Sequence, residues 1–432
     1  MAVVILGTEM DVWPAARVTS AWSKRVDVER VEVISWDVTQ SACAMLPGVD
    51  VVHALPLANL RARARMHALA PAAALDAALQ GIVDGRAFDH VLNMTYARTS
   101  GFLAPLLARS PHAVVGPFIG DAGDWRWSHP ALAYLATWGL DPALNVFAHQ
   151  DLWATAARVR MDEGGTLDPD PVADNLAASA IAQGRPAPLV VVPAKLSRPV
   201  LGGAWEDLVS MLMHRNRRPV MLMATPRNEM LIAPLARRTG AEVARWPTRH
   251  LAALMRRSAG VLTADHGASL LAARVGVKQI VLRPAKPLPC AALPGPNALM
   301  VTPQSGLPSA EDVQTLAATH LLGLPLAESA VRLASRRFEV REVAYDKEGC
   351  LAASLPAWWD APPQRRAEDE TLAAWRSVWR STWLGIPPAP ADVLHVLTRG
   401  DETRVHRACH DRGPLGEALR AMIDHKTKEH VA

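Results

Sequence analysis

Two periods of apolar residues alternate along most of this chain. Short runs rich in apolar residues recur between longer segments whose apolar positions repeat every three to four residues. Val3–Leu6, Val31–Ser35, Val49–Ala54, Phe88–Met94 and Ala113–Gly116 are the short runs of the first half. Between them lie helical segments: Pro14 to about Lys24, roughly Arg61–Gln80, and Ser100–Arg109. A second series opens at Leu189–Val192 and continues through helix Trp205–His214, strand Val220–Ala224, helix Met230–Arg238, strand Glu242–Ala244 and helix Leu251–Arg257. Continuous apolar runs are the mark of strands buried on both faces, and their alternation with helices predicts parallel sheets covered on each side.

Between the two series, residues 160–187 hold acids, Pro and Gly around an Ala-rich segment, the composition of a domain boundary. After Leu288 a stretch rich in Pro and Gly gives way to amphipathic segments at Glu311–Leu322, Ala327–Arg337, Glu370–Trp383 and Leu415–Lys428. Trp375, Trp379 and Trp383 recur every four residues and share one helical face, which reads as core or interface. The expected division is 1–160, a linker 161–187, 188–310, and a helical C-terminal extension 311–432.

Composition narrows the classes. A chain of 432 residues suits more than one core. A net charge of +4, with no basic run interleaved with aromatics, is not a nucleic-acid signature. Arg61, Arg63 and Arg65 read as a solvated face. Cys43, Cys290, Cys350 and Cys409 are scattered without CxxC spacing, which fits a reducing compartment. No apolar run approaches the roughly 20 residues that span a bilayer, and the N-terminus lacks a signal-peptide layout. The expected location is therefore cytoplasmic, with a peripheral contact to an inner membrane left open. His406-Arg-Ala-Cys409-His410 reads as a polar turn, and Asp168-Pro169-Asp170 falls in the linker, so no metal site is expected.

The densest chemical signal is Val261–Leu282: a buried strand, the turn Asp265-His266-Gly267, a small-residue helix and a second strand. A helix N-terminus approached through small residues carries unpaired N–H groups and partial positive charge, which suits a phosphate. An ordinary βαβ turn reads the same way, and no strand is followed by Gly-x-Gly-x-x-Gly, which argues against a nicotinamide dehydrogenase.

Several motifs, in order, resemble glycosyltransferase family 9, the bacterial heptosyltransferases that use ADP-heptose. Val3–Pro14 resembles the family's opening strand, Gly-Asp turn and Pro-led helix. Phe88–Ser100 resembles its Tyr/Phe-Asp strand ending in Asn, with the loop that follows. Val190–Lys195 and Trp205-Glu206-Asp207-Leu208 resemble its donor loop and Trp-led helix. Asp265–Ala273 resembles Asp-Thr/Ser-Gly-x-x-His-x-Ala-Ala. The resemblance implies a GT-B architecture: two Rossmann-like domains facing a cleft, the first for acceptor and the second for nucleotide sugar. Three departures stand out. Thr8 occupies the place of the family's turn Asp, Leu270 that of its phosphate-contacting His, and Gly202-Gly203 the place of a Lys.

In such a cleft, metal-independent transfer needs a carboxylate base and groups that stabilise the departing diphosphate. Asp11, then Glu9, are the candidate bases, with helix capping the competing role for Asp11. Asp265, His266, Gly267, Ala268, Ser269, Pro193, Ala194, Lys195 and Arg198 are candidate donor contacts. Thr8, Asn93, Tyr96 and Arg98 are candidate acceptor contacts, with loop hydrogen bonding as the plainer role. No cofactor is expected, the nucleotide-diphosphate sugar being a co-substrate. The acceptor class stays open among glycan, lipid and protein, as does a homo-oligomer through the C-terminal helices. The departures leave a second expectation standing: a GT-B-like binding or assembly module without catalysis.

Overall fold

The computed structural model describes residues 1–7, 9–66, 70–83, 85–137, 147–159, 167, 170–181, 186–194, 200–201, 204–216, 218–225, 228–284, 295–324, 337–345, 351–356, 358–359, 363–383, 388–399 and 420. Thr8, Lys195, Arg198, Gly202, Gly203 and the His406–His410 cluster lie outside them. So do Cys290, Cys350 and Cys409, and the expected helices at 327–337 and 415–428 save for Arg337 and Arg420.

The first series forms a five-stranded parallel sheet of β1 (Ala2–Ile5), β2 (Val31–Trp36), β3 (Val51–Leu55), β4 (His90–Asn93) and β5 (Val114–Val115), in the order β3-β2-β1-β4-β5. Helices α1 (Glu9–Trp22), α2 (Gln40–Cys43), α3 (Leu57–Met66), α4 (Ala70–Val83) and α5 (Arg98–Leu107) connect its strands. The single helix expected near Arg61–Gln80 is two helices, and Pro71 sits in the first turn of the second, where a missing N–H costs nothing. A hairpin of β6 (Pro117–Ile119) and β7 (Trp125–Trp127) follows, then α6 (Pro130–Thr137) and α7 (His149–Ala156).

After α8 (Pro171–Ala180), the second sheet gathers β8 (Leu189–Val192), β9 (Val220–Met223), β10 (Glu242–Ala244), β11 (Gly260–Thr263), β12 (Gln279–Leu282) and β13 (Ala298–Pro303). Its order is β10-β9-β8-β11-β12-β13, all parallel, with α9 (Trp205–Asn216), α10 (Glu229–Thr239), α11 (Thr248–Arg257) and α12 (His266–Arg274) between strands. After α13 (Ala310–Leu316), two further strands, β14 (Phe338–Tyr345) and β15 (Leu351–Ser354), extend this sheet antiparallel. They lie in the segment expected to be helical. Phe338-Glu-Val-Arg-Glu-Val begins with apolar and charged residues in alternation, and Phe338, Val340 and Val343 are buried, so a strand period was present there. Among the described residues beyond these strands, the segment holds helices α14 (Pro363–Trp383) and α15 (Pro390–Arg399).

Both sheets are Rossmann-like, with strand order reversing between β1 and β4 in the first and between β8 and β11 in the second. Their helices meet across the seam, α1 against α12 and α2 against α11. One cluster of buried side chains runs through it, from Val4, Trp13 and Ala16 to Val190, Val192, Leu254, Ala268 and Leu271. The Trp stripe of α14 belongs to this core. Trp379 and Trp383 lie 4.9 and 5.3 Å from the Tyr134 ring, and Trp383 lies 4.5 Å from Phe147. The C-terminal chain therefore folds back on α6 of the first half. Burial of each large side chain there is worth about 1.5–3 kcal/mol. Among the described residues no helix is long and apolar enough to cross a membrane.

Candidate functional site

In open α/β sheets the crevice for a ligand lies outside the carboxyl ends of strands at the point where strand order reverses. In the second sheet that point falls between the ends of β8 and β11, at Pro193-Ala194 and Ala264-Asp265. A cleft of about 280 Å³ opens there, lined by Trp13, Ser41, Met223, Ala224, Thr225, Trp246, Pro247, Thr248, Leu251, Asp265, Gly267, Ala268 and Leu271. Trp13 and Ser41 come from the first half of the chain, so the cleft spans the seam. Around Pro247-Thr248 a second cavity of about 510 Å³ runs on between α2, α11 and the end of α12.

Asp265 is the N-cap of α12. Its extended backbone turns the chain out of β11, and its Oδ1 accepts from the Ala268 N–H at 2.8 Å. Thr263 braces the same turn, its hydroxyl accepting from the Asp265 N–H at 2.9 Å. The missing side chain at Gly267 and the methyl of Ala268 bring the first turn of α12 to the cleft wall. Ser269 is fully buried and its hydroxyl bonds the His266 carbonyl at 2.8 Å, so it faces its own helix. Leu270 is in the core. His266, the first residue of α12, is half-buried beside the cleft.

Asn228, unremarked in the sequence, fixes the opposite wall. It is buried, its Oδ1 accepts from the Thr225 N–H at 2.7 Å, and its Nδ2 donates to the carbonyls of Pro193 at 2.8 Å and Met223 at 3.1 Å. One amide thus ties the ends of β8 and β9 together. Two polar atoms of the lining residues, Trp13 Nε1 and Thr225 Oγ1, are shielded from solvent without a hydrogen-bond partner among the described residues. Leaving such a group unpaired costs about 1–3 kcal/mol.

In the first sheet the ends of β1 and β4 converge. A Cβ placed on Gly7 would meet Thr95 Oγ1 at 2.9 Å and Asp11 Oδ2 at 3.4 Å, so only glycine lets these two loops close together. Asp11 lies inside α1, which begins at Glu9, and is therefore not the N-cap weighed for it. Its carboxylate folds back toward the β1 turn and the loop after β4. Asn93 is fully buried, donating to the Pro117 carbonyl at 2.7 Å and accepting from the Thr95 N–H at 3.2 Å, so it shapes that loop. Tyr96 and Arg98 are exposed. The Tyr96 hydroxyl donates to the Leu132 carbonyl at 3.2 Å, and Arg98 lies over the Phe102 ring. Glu9 is the first residue of α1. Among the described residues no three of His, Cys, Asp and Glu converge as metal ligands.

The sequence reading found α12 and the β1 and β4 loops. It missed Trp13, Ser41, Thr225 and Trp246-Pro247-Thr248. Position was the available signal: Thr225 and Trp246 follow the ends of parallel strands β9 and β10, where lining residues collect.

The sequence matches no protein-family model and no curated protein. Solved structures do match. A glycosyltransferase of family 9 from Veillonella parvula aligns with a TM-score of 0.59 at 14% identity, covering 75% of this chain and 97% of that one. The E. coli heptosyltransferase WaaC with ADP aligns with a TM-score of 0.52 at 16% identity, over 74% of this chain and 100% of its own. The E. coli ADP-heptose lipopolysaccharide heptosyltransferase II aligns with a TM-score of 0.50 at 11% identity, over 75% and 99%. The GT-B fold is thus shared with family 9 structures, and the resemblance carried by the motifs holds at the level of the fold.

Proposed function

We propose that this protein is a glycosyltransferase that binds a nucleotide-diphosphate sugar in the cleft between β8, β9, β10 and α12. It would pass the sugar to an acceptor held against the β1 and β4 loops. The observation that carries this reading is the coincidence of three features at one strand-order reversal: a cleft, the N-terminus of α12 at its wall, and residues from both halves lining it. Trp246 is proposed to supply apolar surface for a base, while Ser41, Thr225 and Thr248 are proposed to supply hydroxyls. The N-terminus of α12 favours the diphosphate through its dipole, and Lys195 and Arg198 are the cations proposed to add to it.

In the proposed reaction an acceptor hydroxyl attacks the anomeric carbon. The bond from that carbon to the diphosphate oxygen breaks, the electron pair leaves with the diphosphate, and the hydroxyl proton passes to the Asp11 carboxylate. A general base of this kind contributes about 10²–10⁴-fold. Tyr96 and Arg98, exposed after β4, are the residues proposed to meet the acceptor. The ADP of the E. coli structure makes ADP sugars, heptose included, the first donors to try.

The test is thermal stabilisation by ADP, GDP, UDP and CMP sugars, for wild type and Asp265→Ala. A ligand that binds only the folded state raises its melting temperature by mass action. Stabilisation by one nucleotide sugar, lost in the variant, is the expected result; no stabilisation by any donor overturns the reading. Leu270, buried and apolar where family 9 carries a histidine, favours a second reading, a binding module. Donor binding without transfer to any acceptor would select it.

A further inference from the structure

Helix α7 lies between the two halves and grips both with neighbouring side chains. Asp151 Oδ1 accepts from Arg17 Nη1 at 3.1 Å, and Arg17 belongs to α1, the helix that carries Asp11 and Trp13. The adjacent Gln150 accepts through Oε1 from Nη2 of Arg274, the last residue of α12, whose first turn walls the cleft. Arg17 also donates to the Tyr345 hydroxyl at 3.2 Å, and Tyr345 is on β14 of the second sheet. Gln150 and Asp151 are each 1% exposed. Just before them, Ala148 packs on Val281, Ala298, Met300 and Val343 of the second sheet.

Around this cluster the seam is apolar, and apolar contact is non-directional, so it tolerates sliding of one helix along another. Buried charges give little net stability, because desolvation offsets their attraction. Their geometry is another matter: a hydrogen bond from a guanidinium N–H holds only over a narrow range of distance and angle. We propose that Gln150 and Asp151 are positioning residues, a two-sided clasp that sets the register of α1 against α12 and so the spacing between the two walls of the cleft. This rests on the reading of that cleft as the donor site.

The test measures spin–spin distances between labels on Val26→Cys and Met230→Cys, exposed positions of the two halves, with the native cysteines replaced by alanine. Wild type is expected to give one narrow distribution. Replacing both grips by apolar side chains (Arg17→Met with Asp151→Leu, and Gln150→Leu with Arg274→Met) keeps the core filled. That variant is expected to melt cooperatively yet give a distribution that broadens toward longer distances, and to lose stabilisation by the nucleotide sugar that stabilises wild type. Gln150→Glu, which still accepts from Arg274, is expected to keep the narrow distribution. A folded apolar variant with the wild-type distribution overturns the proposal. Should the fourfold variant not fold, Arg17→Met with Asp151→Leu alone decides by the same criterion. The distances need no ligand, so a wild type that binds no nucleotide sugar removes the donor reading while the clasp is still judged.

Discussion

Thr225→Val is expected to make the unliganded protein more stable and its ligand bind less tightly. Valine keeps the shape and the β-branch. It removes a hydroxyl that is shielded from solvent and has no partner among the described residues, while the Thr225 N–H bond to Asn228 at 2.7 Å is kept. Relief of an unpaired buried hydroxyl is worth about 1–3 kcal/mol. Unfolding entropy near 2.1 cal/mol/K per residue amounts to roughly 0.9 kcal/mol/K for this chain, so the melting temperature should rise by about 1–3 °C. In the proposed complex the ligand is expected to pair this hydroxyl, and a neutral hydrogen bond contributes about 0.5–1.5 kcal/mol, an expected affinity loss of about two- to thirteen-fold. Scanning fluorimetry without ligand reads the first quantity, and titration calorimetry with the stabilising nucleotide sugar reads the second. A lower melting temperature would show that the hydroxyl is already satisfied. Unchanged affinity would show that it does not serve the ligand. Trp13→Phe is the companion: it shrinks a fully buried ring, so stability falls through the cavity left behind, and only its affinity loss tests the indole N–H.

The remaining expectations are simpler. Asp11→Asn should bind nucleotide sugar as wild type does and lose about 10²–10⁴-fold in turnover; unaltered turnover in a coupled diphosphate-release assay would remove Asp11 as the base. Asp265→Ala should lose the cap of α12 and about 0.5–2 kcal/mol of stability, read by urea denaturation. Burial pushes the imidazoles of His129 and His320 below their usual 6.5. The unfolded chain then takes up protons first as pH falls, so stability should be flat above 6.5 and decline below it until both rings protonate in the folded state. Denaturation at pH about 7 and about 5 checks this, and a double His→Asn variant should flatten the decline.

How much of this was legible in the sequence depended on range. Strands such as Ala2–Ile5 and Leu189–Val192 announce themselves because full burial demands apolar residues at every position. The turn at Asp265 was legible as well, since a turn between a strand and a small-residue helix is a local pattern. Thr225 and Trp246 were not. Their part in the cleft comes from strand order, and β9 and β10 reach the cleft only because β8 leads the second sheet from its middle. Asn228 is further from view: one amide bonding two loops 35 residues apart leaves no spacing to recognise. The same holds for Arg17 and Asp151, which are 134 residues apart and read individually as an ordinary charged residue on each of two helices. Strands β14 and β15 show the opposite error, where an alternating pattern was present and neighbouring helical segments masked it.

The side chains that fill the seam belong to neither half alone. Val4, Trp13 and Ala16 share one buried cluster with Val192, Ala268 and Leu271, and the C-terminal tryptophans close over α6. Cutting the chain near residue 185 would strip both products of their cover, leaving two sticky fragments in place of two working modules. Grafting the second half of a family 9 glycosyltransferase structure onto this first half would face the same obstacle. Trp13 and its neighbours would have to be recut to each new surface, so heredity in this protein is constrained to change both sides of the joint together.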